Sequence, residues 1–236
     1  MLRFEVMAQV TLAPSTDRRK LRGEQTRQAI LTRASQLASS EGLDAVSLQR
    51  LATDLGISKS GLFAHFGSKE ELQLATIEEA GRIFTEEVLK PGLKPPAGLG
   101  RLWAMCNSYL SYLKRSVFRG GCFFEAAVAE FDSKPGPVRD AVVAPRSFWI
   151  SSLARAARDA QAVGEVQPDV DAVQLAWELE WILVGANGTF VVDRDTVVFE
   201  RARRAIRDRL ERAATAHAAR LPSREPPPPR HRRPAQ

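Results

Sequence analysis

The sequence has few residues of the kinds that build metal centres, disulfide frameworks or membrane spans. Its 236 residues include three histidines and two cysteines, Cys106 and Cys122, and no Cys/His spacing suits zinc. The longest uncharged apolar run, residues 181–192, is far shorter than the roughly 20 residues that a membrane helix needs. Glu5 stands where a signal peptide keeps its apolar core. We therefore expect a cytoplasmic protein without metal, cofactor or membrane contact, and not a secreted or disulfide-built one.

Signatures of catalysis are also scarce. The sequence has no motif that pairs a nucleophile with a base, no glycine-rich phosphate loop, and no pair of carboxylates placed by a motif. Glu178 and Glu180 are two residues apart on a predicted helix, so their side chains point in different directions. An enzyme on an all-α scaffold is therefore disfavoured.

What is present is an uneven distribution of charge within a net charge of +6. Residues 1–70 carry 10 Lys/Arg against 7 Asp/Glu, residues 71–200 carry 13 against 18, and residues 201–236 carry 11 against 3. The two ends are basic and the middle is acidic. A basic module can bind phosphates by releasing their counterions, but the same charges could simply solvate helix faces.

The hydrophobic pattern is helical almost throughout. Apolar residues recur at helical spacing from Gly23 onwards, and no hairpin turn separates two alternating runs. Three prolines, Pro91, Pro95 and Pro96, break the pattern and predict a domain boundary. The sequence therefore predicts an all-α protein, with later helices near residues 98–117, 122–131, 138–162, 169–190 and 195–219.

The segment 47–72 has the spacing of a helix-turn-helix. Ser47 can cap a short first helix, Gly56 can end that helix in a left-handed conformation, and Ser58 can cap a second. A small residue at Ala52 lets the second helix cross closely over the first. The spacing of four residues from Ala52 to Gly56, then six to Leu62, is typical of the motif, which presents its second helix to the major groove of DNA.

The outward side of this second helix favours nucleic acid over an ordinary core hairpin. Lys59, Ser60 and His65 are donors suited to phosphates and base edges, whereas a hairpin buried in a core would usually have a more apolar second helix. A third helix then opens at Ser68, which with Glu71 has the pattern of a capping box.

This segment closely resembles the DNA-binding domain of the TetR family of bacterial transcriptional regulators. In that family a Gly-x-x-Tyr-x-x-Phe-like recognition helix leads into a Ser-Lys-Glu-x-Leu helix start. The match covers about residues 24–90, and the rest of the chain shares the all-helical pattern and length. The matching residues are Gly61, Phe63, His65, Phe66, Ser68, Lys69, Glu70 and Leu72.

The resemblance implies a three-helix, helix-turn-helix DNA-binding domain followed by a larger helical ligand-binding and dimerisation domain. We expect these domains at residues 21–90, with a connecting helix, and 91–220. Residues 1–20 are predicted to be a mobile basic arm, in which either Met1 or Met7 could be the start. Residues 221–236, rich in proline and arginine, are predicted to be disordered.

The family's DNA contacts carry over where positions match. Ser47 and Gln49 begin the first motif helix, and Lys69 matches a lysine that grips a phosphate. Phe63 replaces the usual tyrosine, so it lacks the hydroxyl that touches a phosphate, although its ring can still pack on sugar or a thymine methyl. His65 is either a DNA contact or a partly buried structural residue. The predicted contacts are Ser47, Gln49, Ser58, Lys59, Ser60, Gly61, Phe63, His65 and Lys69.

Aromatic residues are abundant after residue 91, and most of them are expected to form ordinary core. The resemblance nevertheless implies a ligand cavity among the helices of residues 98–190, mostly apolar with a few directional polar groups such as Glu125. Cys106 and Cys122 could be redox sensors, but buried small hydrophobic residues are the more usual role. The candidate pocket residues are Trp103, Asn107, Tyr109, Tyr112, Phe123, Phe124, Trp149 and Trp177.

The resemblance also implies a homodimer formed by the last two long helices, which suits a palindromic operator in double-stranded DNA. The leading hypothesis is a dimeric regulator, most simply a repressor that a small apolar effector releases. The alternative is an architectural DNA-binding protein that relies on its basic ends and has no effector. The basic tail could touch DNA or be only solvated. The residues proposed for the shared faces of the two helices are Leu175, Leu179, Ile182, Ala186, Phe199, Ala202 and Ile206.

Overall fold

The computed structural model of this chain describes residues 15–222, apart from the side chains of residues 15–17, Arg19 and Lys59. Most of the predicted N-terminal arm, with both candidate start sites, and all but two residues of the predicted tail lie outside this part. Within the described residues, no helix is long and apolar enough to cross a membrane. No three His, Cys, Asp or Glu side chains of this part are grouped as a metal site requires.

The described chain folds into ten α-helices, with no strand among them, which confirms the all-α prediction. A π-helical turn at Thr85–Leu89 joins the fourth helix to the fifth. The helices are α1 (Ser15–Glu41), α2 (Leu48–Leu55), α3 (Lys59–Phe63), α4 (Lys69–Phe84), α5 (Lys90–Gly92), α6 (Leu99–Lys114), α7 (Phe123–Phe131), α8 (Pro137–Ala162), α9 (Ala172–Asp193) and α10 (Val197–Ala213).

Two helix ends differ from the sequence prediction by more than a few residues. Residues 15–20 form the first turns of α1 rather than part of an arm. Arg18 and Lys20 are exposed there, so these turns have no apolar face for a hydrophobic pattern to reveal. At the other end, α10 stops at Ala213, because Ala214 adopts an extended conformation and forms a backbone bridge with Val166.

The first three helices and the start of α4 share a small core. Ile30 of α1, Leu51 of α2 and Leu72 of α4 are fully buried, as are Leu62 and Phe66 on either side of the end of α3. Since these side chains fill the interior, the polar residues of α2 and Ser60 of α3 are left on the outside. The core therefore fixes which side of the helix-turn-helix faces solvent.

The remaining helices form a larger body, in which α9 packs between α8 and α10 and α6 lies in the interior. The long α4 belongs to both parts, because it contacts α1 and also α8. Its end continues through the π-helical turn to α5, which packs on α6. A displacement of α4 in the larger body would therefore also move the start of α4, which packs beside the helix-turn-helix.

A second connection between the two parts runs through α7. The Glu130 carboxylate accepts hydrogen bonds from the backbone N–H groups of Leu43, at 2.7 Å, and Asp44, at 2.9 Å, just after α1. Ahead of α7, the chain approaches α1 so closely that a Cβ on Gly120 would lie 1.6 Å from the carbonyl oxygen of Ser39. Only glycine fits at that contact.

Candidate nucleic-acid interface

Local hydrogen bonds hold the helix-turn-helix in shape. The Ser47 Oγ accepts a hydrogen bond from the N–H of Arg50 at 3.2 Å, and so caps α2 as predicted. Gly56 ends α2 in the left-handed region, with φ 62°. The N–H of Ile57 then donates to the carbonyl of Ala52 at 3.0 Å, which closes the turn. These bonds lie within a few residues of each other, which is why the sequence pattern could predict them.

The second helix of the motif, α3, is short and tightly capped. The Ser58 Oγ accepts the N–H of Gly61 at 3.1 Å, and a Cβ on Gly61 would lie 3.1 Å from that oxygen. Beneath the helix, Leu62 and Phe66 are completely buried. The outer side of α3 therefore has a fixed orientation, as a helix that reads a DNA groove needs.

The predicted contact residues occupy the outer side of this motif to different degrees. Gln49, Ser58 and Ser60 are exposed, and the side chain of Phe63 is 45% exposed. His65 is half-buried beside the ring of Phe66, and Ser47 and Gly61 are also half-buried. The backbone of Lys59 begins α3, but its side chain is outside the described part.

Lys69 opens α4 at the edge of the motif. Its Nζ lies 2.6 Å from the Oδ1 of Asp44, and this hydrogen bond holds the pKa of Asp44 below its ordinary value. The predicted capping box is half formed: Ser68 accepts the N–H of Glu71, whereas the Glu71 carboxylate accepts the N–H of Gly67. A phosphate at Lys69 would compete with Asp44 for the ammonium group.

The start of α1 offers cations that the site prediction left out. Arg18, Lys20 and Arg22 are all exposed on its first turns. The run of charged residues at 17–20 is visible in the sequence, but it was predicted to belong to a mobile arm because no apolar pattern marks a helix there. By contrast, Arg33 is engaged by Asp54, at 2.7 Å.

A second candidate site lies in the larger body, in two adjoining spaces that share lining residues. The outer groove is an opening of about 510 Å³ between α4 and α8, and the inner cavity beneath it has a free volume of about 10 Å³. Phe84, Phe124 and Pro145 line both spaces. The inner cavity is lined by Phe84, Tyr109, Cys122, Phe124, Glu125, Pro145, Arg146, Trp149 and Glu180.

Five of the eight predicted pocket residues meet at this place. Tyr109, Phe124 and Trp149 line the inner cavity. Tyr112 and Phe123 belong to the same cluster of rings, with centroids 5.9 Å from Phe84 and 5.3 Å from Phe124 respectively. Sequence reasoning missed Phe84 and Glu180, which are far from this group along the chain.

The other three predicted pocket residues lie elsewhere. The ring of Trp103 packs under the guanidinium of Arg207, 4.5 Å from its centroid. Asn107 accepts a hydrogen bond from the Nε of Arg203 at 2.9 Å, between α6 and α10. Trp177 is 53% exposed on the outer side of α9 and does not line this cavity, because the opposite side of α9 is the one that packs against α8 and α10.

Both cysteines are buried and free. Burial raises the pKa of the Cys122 thiol to about 11 and raises that of Cys106 further. A thiol that is protonated and shielded from solvent reacts slowly with oxidants. The structure therefore favours the interpretation of both as small hydrophobic residues.

The faces proposed for dimerisation are also placed differently. Leu175, Leu179 and Ala186 of α9 are buried in the core of the chain itself, as are Phe199, Ala202 and Ile206 of α10, while Ile182 is half-buried. The outer side of α9 instead presents a separate set of residues, called the outer face below. It consists of Val173, Trp177, Trp181, Gly185, Gly188 and Val192, all exposed.

Comparisons with known proteins agree with this architecture. Residues 30–76 match the model of the bacterial regulatory proteins of the tetR family, and residues 98–206 match the tetracyclin repressor-like C-terminal domain. The transcriptional regulator AcuR of Cereibacter sphaeroides is 26% identical over 66% of this chain and 71% of its own length.

Solved structures show the same fold. A TetR transcriptional regulator from Chloroflexus aurantiacus has a TM-score of 0.77 at 23% identity, covering 82% of this chain and 98% of that one. The structure of AibR in complex with isovaleryl coenzyme A and operator DNA has a TM-score of 0.59 at 22% identity, covering 76% and 95%. With both parts of the family matched in order along its length, this chain belongs to the TetR family of bacterial transcriptional regulators.

Proposed function

We propose that this chain is a dimeric repressor that reads a palindromic operator with α2 and α3 and is released by a small effector. The observation that carries the proposal is the helix-turn-helix itself, in which Leu62 and Phe66 are fully buried beneath α3 while Ser58, Ser60 and Phe63 are exposed on its outer side. Residues 21–90 would form the DNA-binding domain, and residues 91–220 the effector-binding and dimerisation domain. AibR, solved with a ligand and operator DNA, gives a precedent for the combination.

In this proposal the residues of α3 and of the turn that follows it have different roles. Lys59, Ser60 and Gly61 at its leading end would contact base edges and the backbone, and His65 a phosphate or base. The exposed Phe63 ring would pack on sugar or on a thymine methyl group. Around them Ser47, Gln49, Ser58 and Lys69 would contact phosphates and so fix the position of the protein along the DNA.

The outer face of α9 supports dimerisation. Trp177 and Trp181 are exposed and meet edge to face, with centroids 6.0 Å apart. Further along the same face, a Cβ on Gly185 or on Gly188 would meet nothing within 4 Å, so a partner helix could approach closely there. Exposed tryptophans beside small residues are typical of an interface that holds a few large anchors. We therefore place the dimer contact on this face and on the adjoining side of α10.

Effector release would run through α4. Phe84, the last residue of α4, lies between the outer groove and the inner cavity, and the other end of α4 starts beside the helix-turn-helix. A ligand that displaced Phe84 would shift α4 and change the spacing of the two recognition helices in a dimer. Effector and operator would then weaken each other's binding by the same coupling free energy.

The test is to select genomic fragments with the purified protein at low and physiological salt. We expect the fragments that remain bound at physiological salt to share one palindromic sequence, as a dimer with two half-sites requires. Their affinity should fall as salt rises, because binding releases several counterions from the DNA. Lys59→Ala and His65→Ala should each weaken operator binding, by roughly 1–3 kcal/mol, and leave the dimer intact. Lys94→Ala is the matched control, because Lys94 is exposed in the segment that leads to α6.

Uniform recovery of fragments that disappears as salt rises would instead support the architectural alternative. In that case the basic start of α1 would matter more than α3. Unchanged operator affinity in both Lys59→Ala and His65→Ala would contradict the placement of the site on α3.

A further inference from the structure

The inner cavity is surrounded by aromatic rings that present faces as well as edges. The rings of Tyr109 and Trp149 are stacked, with centroids 5.9 Å apart and planes at 19°. Phe84 meets Trp149 edge to face at 5.5 Å and Phe124 in the same way at 6.0 Å. Ring faces carry partial negative charge and attract cations. The rings therefore favour a positively charged ligand over an anionic one.

A carboxylate with few partners lies at the same place. Glu180 on α9 is only 2% exposed, and its Oε2 accepts the indole N–H of Trp149 at 2.7 Å. Within residues 15–222 this is the only hydrogen bond to the Glu180 carboxylate, and no cation lies within ion-pair distance of it. Burial, with the nearby Glu125, raises the pKa of Glu180 to about 7. A buried carboxylate in this situation gains free energy when a cation arrives beside it.

Among the described residues, one guanidinium lines the cavity, that of Arg146, and it is already engaged. The Nε of Arg146 lies 3.7 Å from the Oε1 of Glu125. Arg146 also lowers the pKa of Glu180, but less than burial raises it. With Arg146 and Glu125 compensating each other, the ionised cavity would keep one uncompensated negative charge, on Glu180.

We propose that the effector of this chain is an organic ammonium ion with apolar substituents, held between the Glu180 carboxylate and the faces of Tyr109 and Trp149. The inference rests on the proposed function, because it names the ligand class of the same effector site. A free volume of about 10 Å³ holds no more than one water, so the ligand enters from the outer groove and displaces the ring of Phe84. The apolar groove walls then cover its substituents.

The experiment measures binding to the DNA-free protein by isothermal titration calorimetry above pH 7. The probes are a series of ammonium ions from tetramethylammonium to benzyltriethylammonium, with neopentylbenzene as the neutral isostere of benzyltrimethylammonium and 3-phenylpropanoate as an anion. Glu180→Gln removes the charge and keeps an acceptor for the Trp149 N–H. The control is Glu86→Gln, which removes an exposed carboxylate paired with Lys90.

We expect at least one ammonium ion to bind, its neutral isostere to bind about tenfold more weakly or worse, and Glu180→Gln to lose about tenfold for the cation alone. Glu86→Gln should change nothing. Arg146→Gln gives a second check, because it removes the competing positive charge and should leave cation binding equal or tighter.

Several results would overturn the inference: no binding by any ammonium ion, equal binding of the neutral isostere, or tighter binding of the anion that is lost in Arg146→Gln. Operator binding is measured in parallel on the same samples. Intact operator binding without cation binding refutes the ligand class and leaves the regulator in place. Cation binding that leaves the operator complex undisturbed keeps the ligand site and refutes the release mechanism.

Discussion

Replacing Trp177 and Trp181 with alanine together should convert the proposed dimer into monomers. The two side chains are 53% and 48% exposed in the single chain, and their rings contact each other at the centre of the outer face. In the proposed dimer both rings pack against their copies, so each substitution acts twice.

The magnitude follows from the exposed area. A fully exposed tryptophan presents roughly 250 Å², so these fractions leave about 130 and 120 Å² on each protomer. At about 25 cal/mol per Å², full burial of both rings in both protomers would contribute about 12 kcal/mol. Interfaces realise only part of such an estimate. Even a third of it, about 4 kcal/mol, would raise the dissociation constant about a thousandfold.

Sedimentation velocity over a range of protein concentrations measures this dissociation directly. Phe148→Ala is the matched control, since Phe148 is 61% exposed but lies on α8, away from the outer face. Circular dichroism should show unchanged helix content in all variants. A double variant that dimerises like the parent chain, or a Phe148→Ala variant that dissociates as readily, would place the interface elsewhere and refute the reasoning.

Two further predictions concern stability. Gly120→Ala should destabilise the fold by about 3 kcal/mol, because the new Cβ would lie 1.6 Å from the carbonyl oxygen of Ser39. A Cβ on Gly100 would meet nothing within 4 Å, so Gly100→Ala should be neutral or stabilising. Urea unfolding compares the two variants, and equal midpoints would contradict the close approach at Gly120. Glu180 has a folded pKa of about 7 against an ordinary 4.5, so the native state loses stability as the pH rises from 4.5 to 7. Glu180→Gln should therefore gain stability over the parent chain above pH 7, by about 3 kcal/mol, with the gain disappearing below pH 4.5. A gain that is the same at every pH would show that Glu180 ionises normally. The charged and titratable groups that face Glu180 are Glu125 on α7, Arg146 on α8 and Cys106 and Tyr109 on α6.

The features that could be predicted from the sequence are those that form within a few residues. Ser47, Ser58 and Ser68 cap their helices and Gly56 ends α2, because the donor and acceptor of each bond are near neighbours in the chain. The later helices also lie within a few residues of their predicted positions. For the same reason the helix-turn-helix could be identified from spacing alone.

The start of α1 shows where pattern reasoning stops. Residues 15–20 are helical but expose charged side chains, so no apolar periodicity marks them. The end of α10 was predicted too far along the chain for the opposite reason. Its alanine-rich continuation suits a helix, but Ala214 pairs with Val166, 48 positions earlier in the chain.

By itself the sequence determined the all-α fold, the helix-turn-helix and the set of aromatic residues from which a cavity could be built. Only the tertiary structure decided which of these residues meet. Since α9 has apolar residues on both sides, its pattern could not show that Leu175 and Leu179 face inward while Trp177 and Trp181 remain exposed. That choice follows from the packing of α8 and α10 against one side of α9. The same packing brings Glu180 to Trp149, which no local spacing connects, and so creates the charge inside the cavity.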